Sequence, residues 1–353
     1  MKLGLLIPCN IWFCPFVNIY TEILDRWNIK YDLIYWNRDG RSHLDNKSIE
    51  FKYTMPTGRI SKFIGYWKYS RFLIKTIKEN KYDKLIVFTS QVGIFISSFL
   101  KKHYLKKYLF DYRDLSIEQN SFLNIPFKCL LNNSFANVIS SPGFKQCLPK
   151  NDYVLSHNFI ITEVENSIHN NYEKYNCEDI EVLTIGGIRD FESNSQVINA
   201  LANKGKIFLK FVGHGPAKEQ LESFASLNKV ENIEFEGYYD KIEEPNFITH
   251  STFLNIFYPD KISHSTALSN RFYNSLIYRR PMIVTKGQIQ GDYVEKYNLG
   301  IAIQSTDNLF EKIIEWVDST NYEDYQKRCI KLLKSFVSDY RIFENTLEKF
   351  IRS

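Results

Sequence analysis

Long apolar runs are missing from the sequence, which excludes a membrane-spanning helix of about 18 consecutive apolar residues. The opening "LGLLIP" is too short for a secretory signal peptide and is followed at once by polar and aromatic residues. We therefore expect a cytoplasmic protein. The cysteines include no CxxC pair, and no histidine stands near Cys9 and Cys14 to complete a zinc site, so we expect reduced thiols.

Two ligand-binding motifs are missing as well. The dinucleotide fingerprint GxGxxG occurs in neither half of the chain. No carboxylate pair of the DxD kind stands at the end of a predicted strand, so we expect no metal ion and no other cofactor. What is present, 44% hydrophobic and 24% charged residues over a length of 353, is typical of a globular protein of two domains.

Charge is distributed unevenly along the chain. Residues 1–160 contain 23 Lys and Arg against 12 Asp and Glu, a net charge of +11, whereas the remainder contains 22 against 28, a net charge of −6. Such asymmetry indicates two lobes with different partners. The basic lobe could face nucleic acid, an anionic membrane or a phosphorylated acceptor.

Apolar runs of strand length alternate with helix-like segments, which predicts an α/β protein of two Rossmann-like, doubly wound domains facing each other across a cleft. The runs are "KLGLLIP", "YDLIYW", "DKLIVFT", "KYLFDY", "ANVIS" and "DYVLS", then "IEVLTIGG", "KIFLKFVG", "NIEFEG", "TFLNIFY", "PMIVT" and "GIAI". The polar segment 165–179 is interpreted as a linker between domains 1–164 and 180–337. The last helix, about 338–353, could pack back on the first domain.

Ligands of such domains bind at the carboxyl ends of the strands. After the first strand of the second domain, Gly186 and Gly187 allow a phosphate to approach the backbone, and Arg189 offers a planar fork to a diphosphate. A plain tight turn is the alternative. Two strands later, Tyr238 or its neighbour Tyr239 could pack against a nucleobase, or against the protein alone.

The stretch "SHSTALSNRFYNSLIYRRPMIV" predicts a helix that packs through Leu268, Phe272 and Leu276 and then leads into a strand. Its candidate N-cap residues and first-turn polar residues are Ser265, Thr266, Ser269 and Asn270. Arg271 in a first turn opposes the helix dipole unless an anion is bound, so we expect it to contact a diphosphate. Arg271→Ala should then weaken ligand binding more than it disturbs the fold. Lys286 follows the next strand at another ligand-facing end.

In the first domain, Asn10 and Trp12 follow the first strand and could line the acceptor side; packing in the core or in a lid is the alternative for Trp12. Arg113, between Asp111 and Asp114, could orient a substrate or pin two loops together. Residues 59–84 combine eight Lys and Arg with interleaved aromatic residues, the pattern of a basic amphipathic helix on a membrane surface. "KKHYLKK", 101–107, adds a second basic patch; a solvated helix face is the alternative, and no RNA-binding signature accompanies it.

Together, "GGIRDF", "FVGHGP" and "NRFYNSLIYRRPMIV" resemble GT-B glycosyltransferases, most of all the retaining family 4 enzymes of bacterial capsule and exopolysaccharide biosynthesis. The resemblance implies a basic diphosphate contact at Arg189 and a base contact near Tyr238. It also implies a ribose-binding glutamate where Asn274 stands, and a sugar-binding glutamate at Thr266 or elsewhere within "SHSTALS". Both glutamates are thus absent from this sequence. The histidine that is usual in the first lobe is replaced by Ser90 and Gln91, so Gln91 joins the acceptor side.

The sequence therefore predicts a metal-independent, retaining glycosyltransferase that moves a sugar from a nucleotide-diphosphate donor to a lipid-linked saccharide acceptor. We expect it to be peripheral on the inner face of the cell membrane. Arg189, Arg271 and Lys286 would neutralise the departing diphosphate. The alternatives are a non-catalytic GT-B partner subunit that binds nucleotide or glycan, and a sugar-nucleotide epimerase. Donor sugar, base, acceptor and linkage are not readable from the sequence.

Overall fold

The structure is a computed structural model that describes residues 1–41, 47–55 and 58–353, without the side chain of Arg59. It divides into two compact units. The first consists of Met1–Asn158 with Ser338–Ser353, and the second of Phe159–Val337. Each unit is built on one parallel sheet, so the prediction of two Rossmann-like α/β domains is confirmed.

The first sheet has seven strands in the order β3-β2-β1-β4-β5-β6-β7. These are β1 Lys2–Ile7, β2 Lys30–Asn37, β3 Ser48–Lys52, β4 Lys84–Phe88, β5 Tyr108–Tyr112, β6 Ala136–Ile139 and β7 Tyr153–Leu155. The connecting helices are α1 Val17–Arg26, α2 Arg59–Asn80, α3 Ser90–His103 and α4 Asn124–Asn133, with 3-10 turns at Ile11–Phe13, Ile117–Gln119, Ser121–Leu123 and Pro142–Gln146. β4 and β5 are buried along their whole length, as expected of parallel strands covered on both faces.

The second sheet has six strands in the order β10-β9-β8-β11-β12-β13. These are β8 Ile180–Gly187, β9 Ile207–His214, β10 Ile233–Glu236, β11 Phe253–Ile256, β12 Met282–Thr285 and β13 Gly300–Ile303. The helices are α5 Ile161–His169, α6 Phe191–Leu201, α7 Lys218–Leu227, α8 Glu244–His250, α9 Ile262–Thr266, α10 Asn270–Ile277, α11 Ile289–Tyr297, α12 Leu309–Ser319 and α13 Tyr322–Arg352, with a 3-10 turn at Lys241–Glu243.

The segment interpreted as a linker, 165–179, lies within the second unit, and the boundary between the units falls earlier, at Asn158. Its first residues complete α5, which packs on α10. The Ser167 hydroxyl donates to the Ile277 carbonyl (2.7 Å), and the buried guanidinium of Arg279 donates to the Ser167 carbonyl (2.6 Å). These hydrogen bonds join residues 110 and 112 positions apart, so the composition of the segment does not reveal them, and they hold α5 in place.

The helix predicted around Phe272 is α10. Ser269 is its N-cap, because the Ser269 hydroxyl accepts a hydrogen bond from the Phe272 N–H (3.3 Å). Leu268, Phe272 and Leu276 are buried in the core of the second unit, as predicted. α10 thereby fixes a short polar segment against the carboxyl ends of β8 and β11.

Candidate functional site

The second sheet changes direction between β8 and β11. The chain moves outward from β8 through β9 to β10, then returns to the other side of β8 at β11 and continues through β12 to β13. Loops that leave β8 and β11 therefore diverge, and open α/β sheets bind their ligands in the crevice at such a point. The candidate site is built from these loops within the second unit.

Glycines bring the turns after β8 and β9 into backbone contact. A Cβ at Gly213 would lie 2.1 Å from the Gly186 carbonyl oxygen, and one at Gly215 would lie 2.2 Å from the Ile188 carbonyl oxygen. Gly186 and Gly213 also have φ values of 91° and 127°, a region that side chains disfavour. The close approach leaves no side chain over this part of the β8 turn, as a site for a phosphate requires.

A cluster of charged side chains follows the turn. Arg189 is exposed and folds over Gly187, with its Nε 3.1 Å from where a Gly187 Cβ would stand. The carboxylate of Asp190 lies 3.4 Å from Lys261 Nζ and 3.8 Å from His264 Nε2. We call Arg189, Lys261 and His264, with Asp190, the basic cluster.

The imidazole of His264 is half-buried and stacks on the ring of Tyr258, with centroids 4.8 Å apart. Burial lowers the pKa of His264 from its usual 6.5, assisted by the positive charges of Lys261 and Arg189 and opposed by Asp190. At neutral pH the cluster therefore holds two cations against one carboxylate. A surplus of positive charge beside exposed backbone suits a diphosphate.

Arg271 lies at the same strand ends, and its hydrogen bonds there are to the backbone; its predicted contact with a diphosphate stays a prediction. Its guanidinium is buried and donates to the carbonyl oxygens of Ile185 (2.5 Å), Gly187 (3.0 Å) and Asn255 (3.2 Å). Each of its three nitrogens is thus engaged by the backbone of β8 or β11. A buried cation requires such partners, so Arg271 holds the crevice together.

Asn274, one turn further along α10, faces a carboxylate that the sequence does not single out. Its amide donates to Glu244 Oε1 (2.8 Å), and the second oxygen of Glu244 pairs with the ammonium of Lys241. Glu244 is buried at the start of α8. An amide and a carboxylate thus stand side by side, and both can accept hydrogen bonds from vicinal hydroxyl groups.

Of the two tyrosines after β10, Tyr239 is the one that faces the crevice. Its hydroxyl lies 3.8 Å from where a Gly186 Cβ would stand, and its ring packs on Phe247. Burial raises the pKa of Tyr239, and the charge of Arg271 opposes that rise. Tyr238 is 85% exposed and stacks on His214 (5.0 Å between centroids), so the predicted base contact falls better on Tyr239.

The remaining predicted donor residues differ in accessibility. Asn270 is exposed at the start of α10, whereas Thr266 is buried and its hydroxyl donates to the Ile262 carbonyl (2.9 Å). The Ser269 hydroxyl donates to Gln290 (2.8 Å) in addition to capping the helix. Lys286 is exposed, but its ammonium forms an ion pair with Glu295 (2.9 Å).

Two of the predicted acceptor residues of the first unit lie in buried networks. Asn10 is fully buried and donates to Asn37 (3.0 Å) and Asp39 (2.9 Å). Arg113 is buried against Asp111 (2.6 Å) and donates to the Ser156 carbonyl (2.9 Å). Of the two roles considered for Arg113, the pinning of two loops is the one that the contacts support.

Trp12 and Gln91 are more accessible. Trp12 is 39% exposed, next to Phe13, which is 63% exposed. Gln91 is half-buried, and its amide donates to the Ser116 hydroxyl (2.5 Å). Trp12 is therefore the residue of the predicted acceptor set with the most free surface.

The basic segment 59–84 is mostly α2, and its exposed stripe is divided along its length. The first turns expose Ile60 (80%), Phe63 (55%), Ile64 (43%) and Trp67 (53%). The later turns expose Lys68, Arg71, Lys75 and Lys78. Along this stripe the helix thus has an apolar end and a basic end. The side chain of Arg59 lies outside the described residues.

Across the described residues, no helix is long and apolar enough to span a membrane. The same residues contain no group of three or more His, Cys, Asp or Glu side chains arranged to hold a metal ion.

Comparison of the sequence with protein-family models and with curated proteins finds no match. Solved structures match over the full chain. Sucrose-phosphate synthase from Thermosynechococcus elongatus has a TM-score of 0.71 at 11% identity, with 100% of both chains covered. The lipopolysaccharide outer core galactosyltransferase WaaB has a TM-score of 0.71 at 13% identity, with 99% of both chains covered. HepE of Anabaena in complex with UDP has a TM-score of 0.67 at 14% identity, with 99% of this chain and 100% of that chain covered. These likenesses confirm the GT-B fold.

Proposed function

We propose that the protein is a glycosyltransferase that moves a sugar from a nucleotide-diphosphate donor to a saccharide acceptor. The observation that carries the proposal is the basic cluster beside the glycine turn of β8, at the direction change of the second sheet. The neighbours of the same fold support it: WaaB is a galactosyltransferase, and HepE was solved with UDP.

In the proposed reaction the bond between the anomeric carbon and the donor diphosphate oxygen breaks, and the acceptor hydroxyl oxygen bonds to that carbon. The departing diphosphate takes up the negative charge, and the hydroxyl proton leaves to it. Arg189 and Lys261 would stabilise that charge, which is largest as the bond breaks. Arg271 would position the strand ends, and Lys286, paired with Glu295, is left out of this step.

The donor nucleoside would lie between α10 and the segment before α8. Asn274 and Glu244 would bind the ribose hydroxyls, and Tyr239 would border the base. This keeps Asn274 in the role expected from the sequence and adds a carboxylate from another helix. We propose a transfer with retention and without a metal ion, in which the cations of the cluster take the place of the metal.

The acceptor would bind the first unit. We propose a lipid-linked saccharide of surface polysaccharide biosynthesis, such as capsule, at the cytoplasmic face of the membrane. The exposed apolar and basic stripe of α2, with Lys101 and Lys102 at the end of α3, would contact anionic lipid. Lys68→Glu, Arg71→Glu and Lys75→Glu together should release the protein from anionic vesicles, while Lys204→Glu, Lys229→Glu and Lys296→Glu should not. Equal vesicle binding by both variants would refute the membrane contact.

Calorimetry with a panel of nucleoside diphosphates tests donor binding, and nucleotide release from the matching sugar donors, with membrane lipid extract as acceptor, tests transfer. We expect saturable binding of at least one nucleotide and acceptor-dependent release. Absence of all nucleotide binding would overturn the proposal.

The second candidate is a partner subunit that binds nucleotide without turnover. It is favoured by Asn274 and Thr266, which stand where glutamates are usual in the resembling family. Binding without release over the whole donor panel would select it. An epimerase would instead convert the sugar nucleotide without any acceptor, which product analysis detects.

A further inference from the structure

We propose that the first unit contains a separate binding site for a phosphate group, at the C-terminal ends of α2 and α3. A surface pocket of about 510 Å³ lies there, and its basic lining residues are Lys78, Lys81, Lys84, His103 and Lys107. Lys84 is the first residue of β4, so the pocket lies at the amino edge of the first sheet. It is therefore distinct from the carboxyl ends of the strands, where the nucleotide site is proposed.

The pocket has a surplus of positive charge. Among the described residues, no carboxylate forms an ion pair with Lys78, Lys81, Lys84 or Lys107, although neighbouring Lys75 pairs with Glu79 and Lys2 with Asp32. Asp83 is the acidic residue in the described lining, and one of its oxygens already accepts the backbone N–H of Lys2 (2.7 Å). Four lysine side chains thus line the pocket against one side-chain carboxylate.

Lys84 is built into the pocket floor. It is 7% exposed, and its ammonium donates to the carbonyls of Phe350 and Ile351 and to the Ser353 hydroxyl. Its partners are neutral oxygen atoms, so no carboxylate neutralises its charge; burial and the charge of Lys107 lower its pKa, and Asp83 opposes that effect. Lys78, Lys81 and Lys107 are exposed around it, and their ammonium groups can turn toward a ligand.

The rest of the lining offers little else that is polar. Tyr82 donates its hydroxyl to Asp32 (2.6 Å), and Tyr104 donates its hydroxyl to the Tyr82 carbonyl (2.8 Å), so both rings present apolar surface. Phe99 adds a third ring. A ligand here would meet donors that are almost all cationic, so it must be anionic and rich in acceptor atoms. A phosphate group meets both requirements.

Helix dipoles account for only part of this arrangement. Cations are stabilised in the last turn of a helix, which explains Lys78 in α2 and His103 in α3. Lys107 follows the end of α3 by four residues and lies directly before β5, outside any helix. Its position in the pocket lining is therefore not explained by a helix end, whereas a bound anion does explain it.

The phosphate could belong to a free phosphate ester or to an anionic lipid headgroup, and two assays separate these sources. The first is calorimetry with inorganic phosphate and glycerol 3-phosphate at constant ionic strength. The second is cosedimentation with vesicles of phosphatidylglycerol and phosphatidylcholine, against phosphatidylcholine alone. Binding in the first assay that substitution of the pocket lysines weakens indicates a free ester. Vesicle binding that the same substitutions weaken, without binding in the first assay, indicates a lipid headgroup.

The test variant is Lys81→Gln with Lys107→Gln, which leaves Lys84 in its structural place and keeps Lys78, which belongs to the exposed stripe of α2. The control carries Lys204→Gln and Lys229→Gln, the same change of charge on exposed lysines of the second unit. We expect the test variant to bind the phosphate probe roughly tenfold more weakly or worse, and the control to bind as the unmodified protein does. Circular dichroism checks that all three are folded.

The proposal is overturned if the unmodified protein binds neither probe, or if the test variant binds as tightly as the control. Nucleotide binding should be the same in both variants, because the pocket residues do not belong to the candidate site of the second unit. A failure here is thus distinguishable from a failure of the proposed glycosyl transfer.

Discussion

A buried arginine lies at the carboxyl edge of each sheet, and the two differ in their hydrogen-bond partners. In the first unit Arg113 pairs with the carboxylate of Asp111 (2.6 Å), which also accepts the hydroxyl of Tyr20 (2.5 Å). In the second unit Arg271 donates to backbone carbonyls, and no carboxylate among the described residues forms an ion pair with it. A carboxylate thus neutralises the buried positive charge at the edge of the first sheet, whereas the buried positive charge at the edge of the second sheet has only neutral partners.

This difference favours the edge of the second sheet as the place for the proposed diphosphate. Arg271 donates to the carbonyl of Gly187, and Arg189 folds over that same residue, so two guanidinium groups flank one glycine. An anion at this position would be attracted by both groups. At the edge of the first unit, an incoming anion would meet the Asp111 carboxylate as well as Arg113.

The largest effect on stability is expected from breaking the buried ion pair between Arg113 and Asp111. Arg113→Met leaves the Asp111 carboxylate buried without its cation, which should lower the free energy of unfolding by about 3–5 kcal/mol. Chemical denaturation measures this. Arg26→Met removes an exposed ion pair with Glu344 and should cost less than about 1 kcal/mol. Equal losses from both variants would contradict the buried pairing.

A smaller loss is expected at the second edge. Arg271→Met leaves three carbonyls without their donor and should lower the free energy of unfolding by about 1–3 kcal/mol. The sequence alone predicts that substitution of Arg271 weakens ligand binding more than it lowers the stability of the fold. Arg271→Lys keeps the charge but not the planar fork. If the charge matters to the site, Lys should bind nucleotide more tightly than Met at similar stability; equal affinities would assign Arg271 to structure alone.

The basic cluster should affect binding without affecting the fold. Arg189→Ala with Lys261→Ala should weaken the binding of a nucleoside diphosphate roughly tenfold or more, because both charges lie on the surface of the proposed diphosphate site. Calorimetry measures the change in Kd, and the melting temperature should stay within a few degrees. Lys204→Ala with Lys229→Ala serves as the control, and a similar loss of affinity there would point to net charge instead of the site.

The smallest effect is expected from two histidines. Burial lowers the pKa of His157, against the opposing effect of Asp339, and burial lowers that of His264. A histidine with a lowered pKa in the folded state binds its proton more readily when unfolded. Stability should therefore fall as the pH drops below about 6.5, by at most about 1.4 kcal/mol per pH unit for each group.

Denaturation at pH 7, 6 and 5 measures this slope. His157→Gln should flatten it more than His264→Gln does, because the imidazole of His157 is fully buried and that of His264 is only half-buried. A steeper slope in either variant would contradict the direction of the shifts.

The sequence predicts the fold well because parallel strands are apolar along their length. All twelve apolar runs are strands, and the missed one, β3, is the short edge strand "SIEFK", whose alternating polar residues resemble a loop. Ser269, the N-cap of α10, is one of the three N-cap candidates that the sequence offers, because a cap depends on residues close together in the chain.

The sequence indicates where the candidate site lies, but not how its side chains are paired. Gly186, Gly187 and Arg189 are recognisable as candidates because they follow or end a recognisable strand. The partners of Arg271 and Asn274 are not predictable in this way, because Ile185 and Glu244 are distant in sequence and meet them only in the folded unit. The signal for Lys261 and His264 is their position within six residues after the run "TFLNIFY".

The last helix has a consequence for synthesis of the protein. Residues 338–353 belong to the first unit, where Phe343 packs on Tyr20 and Phe350 on Phe135, yet they are translated after the whole of the second unit. During translation the second unit therefore has all of its chain before the first unit does. While the second unit is translated, the surfaces of Tyr20 and Phe135 in the nascent first unit stay uncovered, and a chaperone could bind them during that time.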